Sequence, residues 1–367
     1  MNRQNHQSPQ NHPGRQDRSG RATRATRRAL LAAAAAVLLG TAGSLPAVAA
    51  DAGSAAGTAA RAGRAPAVIE GRAPRLTPEG VSWDQAHQRF LVGSMERGTV
   101  SVVRPDGTVR TLVDDPDALV QVAGLHVDAA RGRVLLANLD NGVGARSTPA
   151  TTGRTAGVGA YDLETGRRIF YTDLAAVAGD GGRHAANDVA FGPDGTAYVT
   201  DSFAPVVYRV GVDGAASVLV RDDRLAPKPG GYGLNGIVYR DGRLVIGTWD
   251  DGTLWQLPVH RPEGLRRIEV LGGGAAALVH LDGLLGRPDG GIAGVTNSFG
   301  GAGRDAEVEL RSDDHWRTAR LTAVRPSADP MPTAVTPGPG GSTYQLSGRV
   351  DLLIAGTPAD TFTLRRI

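Results

Sequence analysis

Residues 187–202 read NDVAFGPDGTAYVTDS. A short apolar run, 189–191, leads into a GPDG turn and a second run that ends on Thr200, Asp201 and Ser202. Proline presets φ and glycine accepts positive φ, so the turn accounts for itself. The Asn187-Asp188 pair is different, because it is expected to precede the first strand and to lie outside the hairpin. The same frame opens five more times. It reads EGVSWDQAHQRFLVGS from Glu79, AGLHVDAARGRVLLAN from Ala123, NGIVYRDGRLVIGTWD from Asn235, DGLLGRPDGGIAGVTN from Asp282 and TAVTPGPGGSTYQLSG from Thr333. Successive openings lie 44, 64, 48, 47 and 51 residues apart. The long step contains NGVGARSTPATTGRTAG (141–157), which reads as a loop insertion.

A repeat of about 40–50 residues holding four short strands is the period of a β-propeller. A sandwich also has many short strands, but it does not return one motif in phase six times. The expected fold is therefore all-β: a six-bladed β-propeller with four-stranded blades around a central channel, over residues 66–367. PAVIEG (66–71) is expected to pair with the last blade, and TDLAAVAGD (172–180) to hold one short helical turn.

Ahead of this lies a different composition. Residues 1–50 carry seven arginines and one acid, Asp17. They then run through ALLAAAAAVLLG (29–40) to SLPAVAA (44–50). A basic stretch, an apolar stretch and small residues at the −3 and −1 positions make a secretory signal peptide. The Arg27-Arg28 pair within it resembles a twin-arginine export signal. The apolar run is short of the roughly 20 residues of a membrane span, so no stable membrane anchor is expected after cleavage and the mature protein is expected to be secreted. Residues 51–65 are rich in Gly, Ala and Ser and read as a flexible lead-in.

The whole chain has 40 Lys+Arg and 37 Asp+Glu. Taking away the leader's seven arginines and one aspartate leaves 33 and 36. The basic excess thus belongs to the leader, and nucleic acid is not an expected partner. With no cysteine, disulfides, thiol nucleophiles and Cys-ligated zinc are excluded. A small-molecule substrate and a monomer are expected.

In phase, at the mouth of the innermost strand, four units carry Glu79, Asn187, Asn235 and Asp282. Innermost strands line a propeller's channel, so these four oxygen-bearing side chains are expected to converge. An all-oxygen set with two negative charges suits a hard divalent cation, Ca²⁺ first and Mg²⁺ or Mn²⁺ next. Without one, two crowded carboxylates repel and at least one pKa rises. Taken singly, Asn235-Gly236 and Asp282-Gly283 are also ordinary turn dipeptides; it is the shared phase that favours a metal site.

PEGVSWD, ANDVAFGPDG, LNGIVY and LDGLLGRPDGGIAGV together resemble the gluconolactonase and senescence-marker-protein (regucalcin) family, related to diisopropyl fluorophosphatase. The resemblance implies a six-bladed propeller with one divalent cation held by Glu79, Asn187, Asn235 and Asp282, and hydrolysis of lactones or related esters. The sugar-lactonase members have an arginine where this chain has Ala185. The neighbouring His184 is a candidate for the pocket and, with Asn187, for substrate binding; a solvent-exposed loop histidine is the other reading of it. The cation would polarise the carbonyl, with Asp282 as ligand and general base toward water; direct attack by Asp282 is the other version. A different class of function is a secreted propeller that binds a ligand or partner around a structural calcium. GYGLNG (231–236) matches a dinucleotide fingerprint but runs into a strand, not a helix. His126 is expected in an innermost strand, either structural or lining the channel. Trp83, Trp249, Trp255 and Trp316 are expected to pack between blades.

Overall fold

The computed structural model describes residues 65–272 and 274–367. The expected leader, 1–50, and all but the last residue of the lead-in, 51–65, lie outside the described residues.

After β1 (Val68–Arg72) the chain makes successive antiparallel meanders. The first holds β2 (Pro78–Asp84), β3 (Arg89–Ser94), β4 (Thr99–Val103) and β5 (Val109–Asp114). The second holds β6 (Gln121–Asp128), β7 (Arg133–Leu139), β8 (Ala156–Asp162) and β9 (Arg168–Asp173), and the third β10 (Ala186–Phe191), β11 (Ala197–Asp201), β12 (Val206–Val210) and β13 (Ala216–Arg221). Each is a four-stranded sheet. Next come β14 (Leu234–Arg240), β15 (Arg243–Thr248), β16 (Leu254–Pro258) and β17 (Arg266–Leu271), then β18 (Leu281–Gly286), β19 (Ile292–Thr296), β20 (Ala306–Arg311) and β21 (Thr318–Pro326). Parallel pairing of β17 with β21, Val270 opposite Ala319, joins these two meanders into one eight-stranded sheet. The last sheet combines β22 (Pro332–Pro337), β23 (Thr343–Ser347) and β24 (Thr361–Arg366) with β1. The N-terminal strand thus closes the C-terminal sheet, as expected for PAVIEG, with Ile69 opposite Leu364.

β2, β6, β10, β14, β18 and β22 each pack on the next, and β22 packs on β2, so these six inner strands close a ring. Strands near the axis are covered on both faces; every residue of β7 is buried. The peripheral strand β21 has one buried residue, Ala319. Hydrophobic cores fill the spaces between sheets. Trp83, Phe90 and Tyr344 seal the first sheet against the last, with ring centroids 4.6 and 5.2 Å apart. The expected helical turn is α1 (Leu174–Ala178), capped by the Asp173 carboxylate accepting from Ala176 N. A second short helix, α2 (Val350–Ile354), lies between β23 and β24. GYGLNG enters β14, a strand, as expected.

Every inner strand carries one extra residue where its register against the second strand skips. The skips fall at Pro78/Gly80, Val122/Leu125, Ala186/Val189, Leu234/Ile237, Leu281/Leu284 and Pro332/Ala334. A bulge of this kind re-aims side chains at the strand end. Just past it the neighbouring strands nearly touch. A Cβ on Gly236 would stand 2.8 Å from Leu284 N and closer still to Asp282 O, and one on Gly124 would stand 2.8 Å from Asn187 O. These neighbours are backbone and cannot swing aside. Gly236→Ala is therefore expected to lower stability by about 1–3 kcal/mol, read as the shift of a denaturant midpoint at constant m. An unchanged midpoint would mean that the inner strands separate easily enough to admit a methyl group.

Candidate functional site

The six bulges answer the question posed by Asn187-Asp188. Glu79, Ala123, Asn187, Asn235, Asp282 and Thr333 occupy them in turn, and all six line one cavity. The four expected oxygen-bearing residues are thus brought together at one end of the channel. Asn187, Asn235 and Asp282 are buried, and Glu79 is partly covered. Asp188 sits one step deeper, on the channel side of the ring. Its Oδ1 accepts from Val189 N at 2.8 Å and lies 3.2 Å from His126 Nε2, while Oδ2 accepts from Ile237 N at 3.3 Å.

Three carboxylates therefore share a narrow space in which, among the described residues, the one basic contact is His126 on Asp188. Burial, reinforced by Asp282 and Asp188, holds the Glu79 carboxyl well above its usual range. Burial and the charge of Asp188 push Asp282 up to about 8, against the hydrogen bond from Asn297. Asn297 Nδ2 donates to Asp282 Oδ2 at 2.7 Å. Asp282 Oδ1, Asn297 Oδ1 and Asn141 Oδ1 are buried acceptors with no partner among the described residues. Oxygens in surplus and donors in deficit are what a hard cation, or a ligand rich in donors, would correct. Among the described residues no three His, Asp or Glu side chains stand close enough to hold a metal by themselves. A cation here would have to draw on the amide oxygens of Asn187 and Asn235, and the residues present fit that requirement.

On the outer side of the ring the cavity has about 590 Å³ of space, counting what is open to solvent. Its wall includes the residues that directly follow three second strands: Met95 after β3, Trp249 after β15 and Asn297 after β19. Leu139, the last residue of β7, continues it. Trp249 was expected between blades; it stands instead on the cavity, its indole stacked on His280 at 3.8 Å and 3°. His280 in turn lies 3.2 Å from Asn297 O through Nδ1. Trp83 and Trp255 pack in strands, while Trp316 lies in the turn before β21. The insertion between β7 and β8 contributes Asn141 to the cavity. Its shape comes from buried Asp140, which accepts from Gly142 N at 2.7 Å, Ser147 Oγ at 2.6 Å and Thr151 Oγ1 at 2.6 Å.

His184 does not line the cavity or the channel below it. Its ring is buried, with Nδ1 2.7 Å from Asp201 Oδ2 and Nε2 2.8 Å from Asp180 Oδ1. Tyr208 Oη also donates to Asp201 Oδ2, at 2.9 Å. It is neither the pocket residue nor the exposed loop histidine anticipated from the sequence. Two carboxylates flanking the segment before β10 draw the ring away from the axis. Ala185, beside it, is fully buried in an apolar cluster with Met95, Leu139 and Val350. His126, by contrast, does line the channel. Asp188, Asn297, Asn141 and Trp249 are site residues that the sequence reading did not assign.

No protein-family model matches the chain, and no curated protein matches it. Solved structures do. The major Malassezia sympodialis allergen Mala s 1 is similar at 17% identity, covering 82% of this chain and 96% of its own, with a TM-score of 0.64. A gluconolactonase from Xanthomonas campestris is similar at 15% identity over 81% of this chain and 87% of its own, TM-score 0.53. A Thermus thermophilus protein, provisionally described as an oxidoreductase (glucose dehydrogenase), is similar at 15% identity over 82% and 99%, TM-score 0.52. Identities this low establish the fold, a β-propeller, and leave the chemistry to be argued from the site.

The His184 cluster has a pH signature. Burial works against the charged ring, but the hydrogen bonds to Asp201 and Asp180 outweigh it, so the folded-state pKa is raised. The stabilisation is then complete below about 6.5, the ordinary histidine value, and fades as pH rises through the folded value. His184→Ala is expected to cost about 3 kcal/mol at pH 5.5, with a smaller difference from wild type at pH 9. Denaturant titrations at both pH values check this. A gap independent of pH would show that the imidazolium is not the favoured form.

Proposed function

We propose that the chain is an exported, six-bladed propeller, the eight-stranded sheet counting as two blades, and a divalent-metal-dependent hydrolase of lactones or related esters. Glu79, Asn187, Asn235 and Asp282 would hold the cation, Ca²⁺ being the best match for two carboxylates and two amide oxygens. The observation that carries this reading is the crowded pair of carboxylates, Asp282 buried and Glu79 partly covered. Neither has a basic partner among the described residues, and Asp282 Oδ1 is left free.

When bound, the cation would supply a Lewis acid for the ester carbonyl. The chain's own residues do the rest. Asn297 fixes Asp282 through Oδ2, which leaves Oδ1 to take the proton of an attacking water. Asn187 and Asn235 orient without titrating, and Glu79 balances charge from the opposite arc of the ring. Direct attack by Asp282 on the carbonyl remains the other version of the step. Asp188, held by two backbone N–H groups and His126, sustains the negative potential beneath the ring. A structural calcium in a ligand-binding propeller is the competing function, and the same experiment separates the two.

Asp282→Asn is expected to lower kcat on a lactone by at least about a hundredfold, and chelation to abolish turnover. Turnover that survives both would overturn the reading; a melting shift on chelation with no hydrolysis of any lactone or ester would favour the binder. The cation effect on stability also has a defined sign. With the folded pKa values of Glu79 and Asp282 raised, the cation-free protein carries no penalty below about 4, where the unfolded chain holds these protons too, and weakens as pH climbs toward 8. The gain in Tm on adding Ca²⁺ is therefore expected to be larger at pH 8 than at pH 5. Calorimetric melts at the two pH values measure it.

A further inference from the structure

We infer that the cavity selects substrates with an uncharged, apolar body, so that the lactone or ester cleaved carries an alkyl or aryl substituent in place of hydroxyl groups. This specificity rests on the hydrolase reading above; the shape and chemistry of the cavity do not. Beyond the polar ring the wall is built from Met95, Leu139, Trp249, Phe299, Met331 and Ile354. Among the described residues no lysine or arginine lines it. Ile354 is 39% exposed and is one of five large apolar side chains left open among the described residues; it stands on this wall, where a ligand would cover it.

The aromatic part of the wall is fixed in place. Trp249 is stacked on His280, meets Tyr232 edge-on at 5.7 Å and lies 6.0 Å from Phe299. Two methionines, Met95 and Met331, give the remaining wall an adaptable surface. Polar groups beyond the ring are few: Asn141 and Asn297, whose Oδ1 atoms are buried acceptors without a partner among the described residues, and the Tyr232 hydroxyl. A polyhydroxylated lactone would leave several hydroxyls facing apolar groups, each losing water without replacement. An alkyl chain loses nothing there. A fully buried methylene would improve binding by about fourfold.

The test is a series on the full-length protein with Ca²⁺: γ-valerolactone, γ-hexalactone, γ-octalactone, γ-decanolactone and D-glucono-δ-lactone. In parallel, calorimetry compares binding of cyclopentanone and 3-hexylcyclopentanone, which cannot be hydrolysed. The expected result is a kcat/KM that rises about two- to fourfold per methylene over the first few additions. The gluconolactone should fall at least tenfold below decanolactone, and hexylcyclopentanone should bind at least tenfold tighter than cyclopentanone. Trp249→Ala and, from a separate part of the wall, Met331→Ser should each flatten the series. If gluconolactone is cleaved as well as decanolactone, or better, the inference is overturned while the hydrolase reading stands. If nothing is cleaved, the ketones decide: tighter binding of the hexyl compound keeps the apolar site and removes the hydrolase, whereas no preference removes both.

Discussion

Neighbouring inner strands come together so closely around the channel that the position after each cavity-facing residue has no room for a side chain at Gly80, Gly124, Gly236 and Gly283. The bulge and the glycine work as one device. The extra residue turns a side chain toward the axis, and the following glycine lets the next strand's backbone lie against the turn. Asp188 takes the glycine's place in the third unit, and the space it needs comes from Gly124, where a Cβ would collide with it. Its carboxylate is then tied to the backbone N–H groups of Val189 and Ile237, which couples β10 to β14. Backbone packing thus dictates that six side chains face one spot, and the sequence decides only what they are.

Four of those six are oxygen-bearing groups of a kind that can bind a cation, and the electrostatics of the molecule sets them apart. Buried acids elsewhere are compensated. Asp128 holds Arg133 at 2.9 Å, Asp201 gathers His184, Tyr208 and three backbone N–H groups, and Glu96 pairs with Arg75. Among the described residues Glu79 and Asp282 have no such cation. A fold that gives these other acids a cationic partner and leaves Glu79 and Asp282 in mutual repulsion carries a local conflict. Conflicts of that kind concentrate where a ligand is meant to resolve them.

Much of this was legible in the sequence because burial on both faces turns the inner strands into recognisable apolar runs, and because turn residues punctuate them at fixed spacing. The ring of Glu79, Asn187, Asn235 and Asp282 showed as a phase, which survives however far apart the residues lie. Asp188 did not show, because in a bulge two consecutive residues can face inward and strand alternation gives no hint of it. Trp249 and Asn297 were hidden differently. They occupy the residue after the second strand, a second phase of the same repeat, filled by Met95 in the first unit, so that no shared chemistry marks it. His184 was misplaced for a physical reason as well: the two carboxylates that hold it, Asp180 and Asp201, lie on either side of it in sequence and draw it off the axis. The five-residue α2 is too short to leave a period.

The site therefore has two layers with different origins. The ring is made by bulged backbone, so a change there presses on the neighbouring inner strand, as the space between Gly236 and β18 shows. The wall is made by residues just beyond strand ends, by the insertion shaped around Asp140, and by α2; of the wall residues named here, Asn297 is the one hydrogen-bonded to the ring, through Asp282. The apolar wall residues can change without breaking that bond. In this chain the ring demands positive charge while the wall offers apolar surface. The proposed function would place a neutral carbonyl compound with an apolar body, brought to a cation, across both layers.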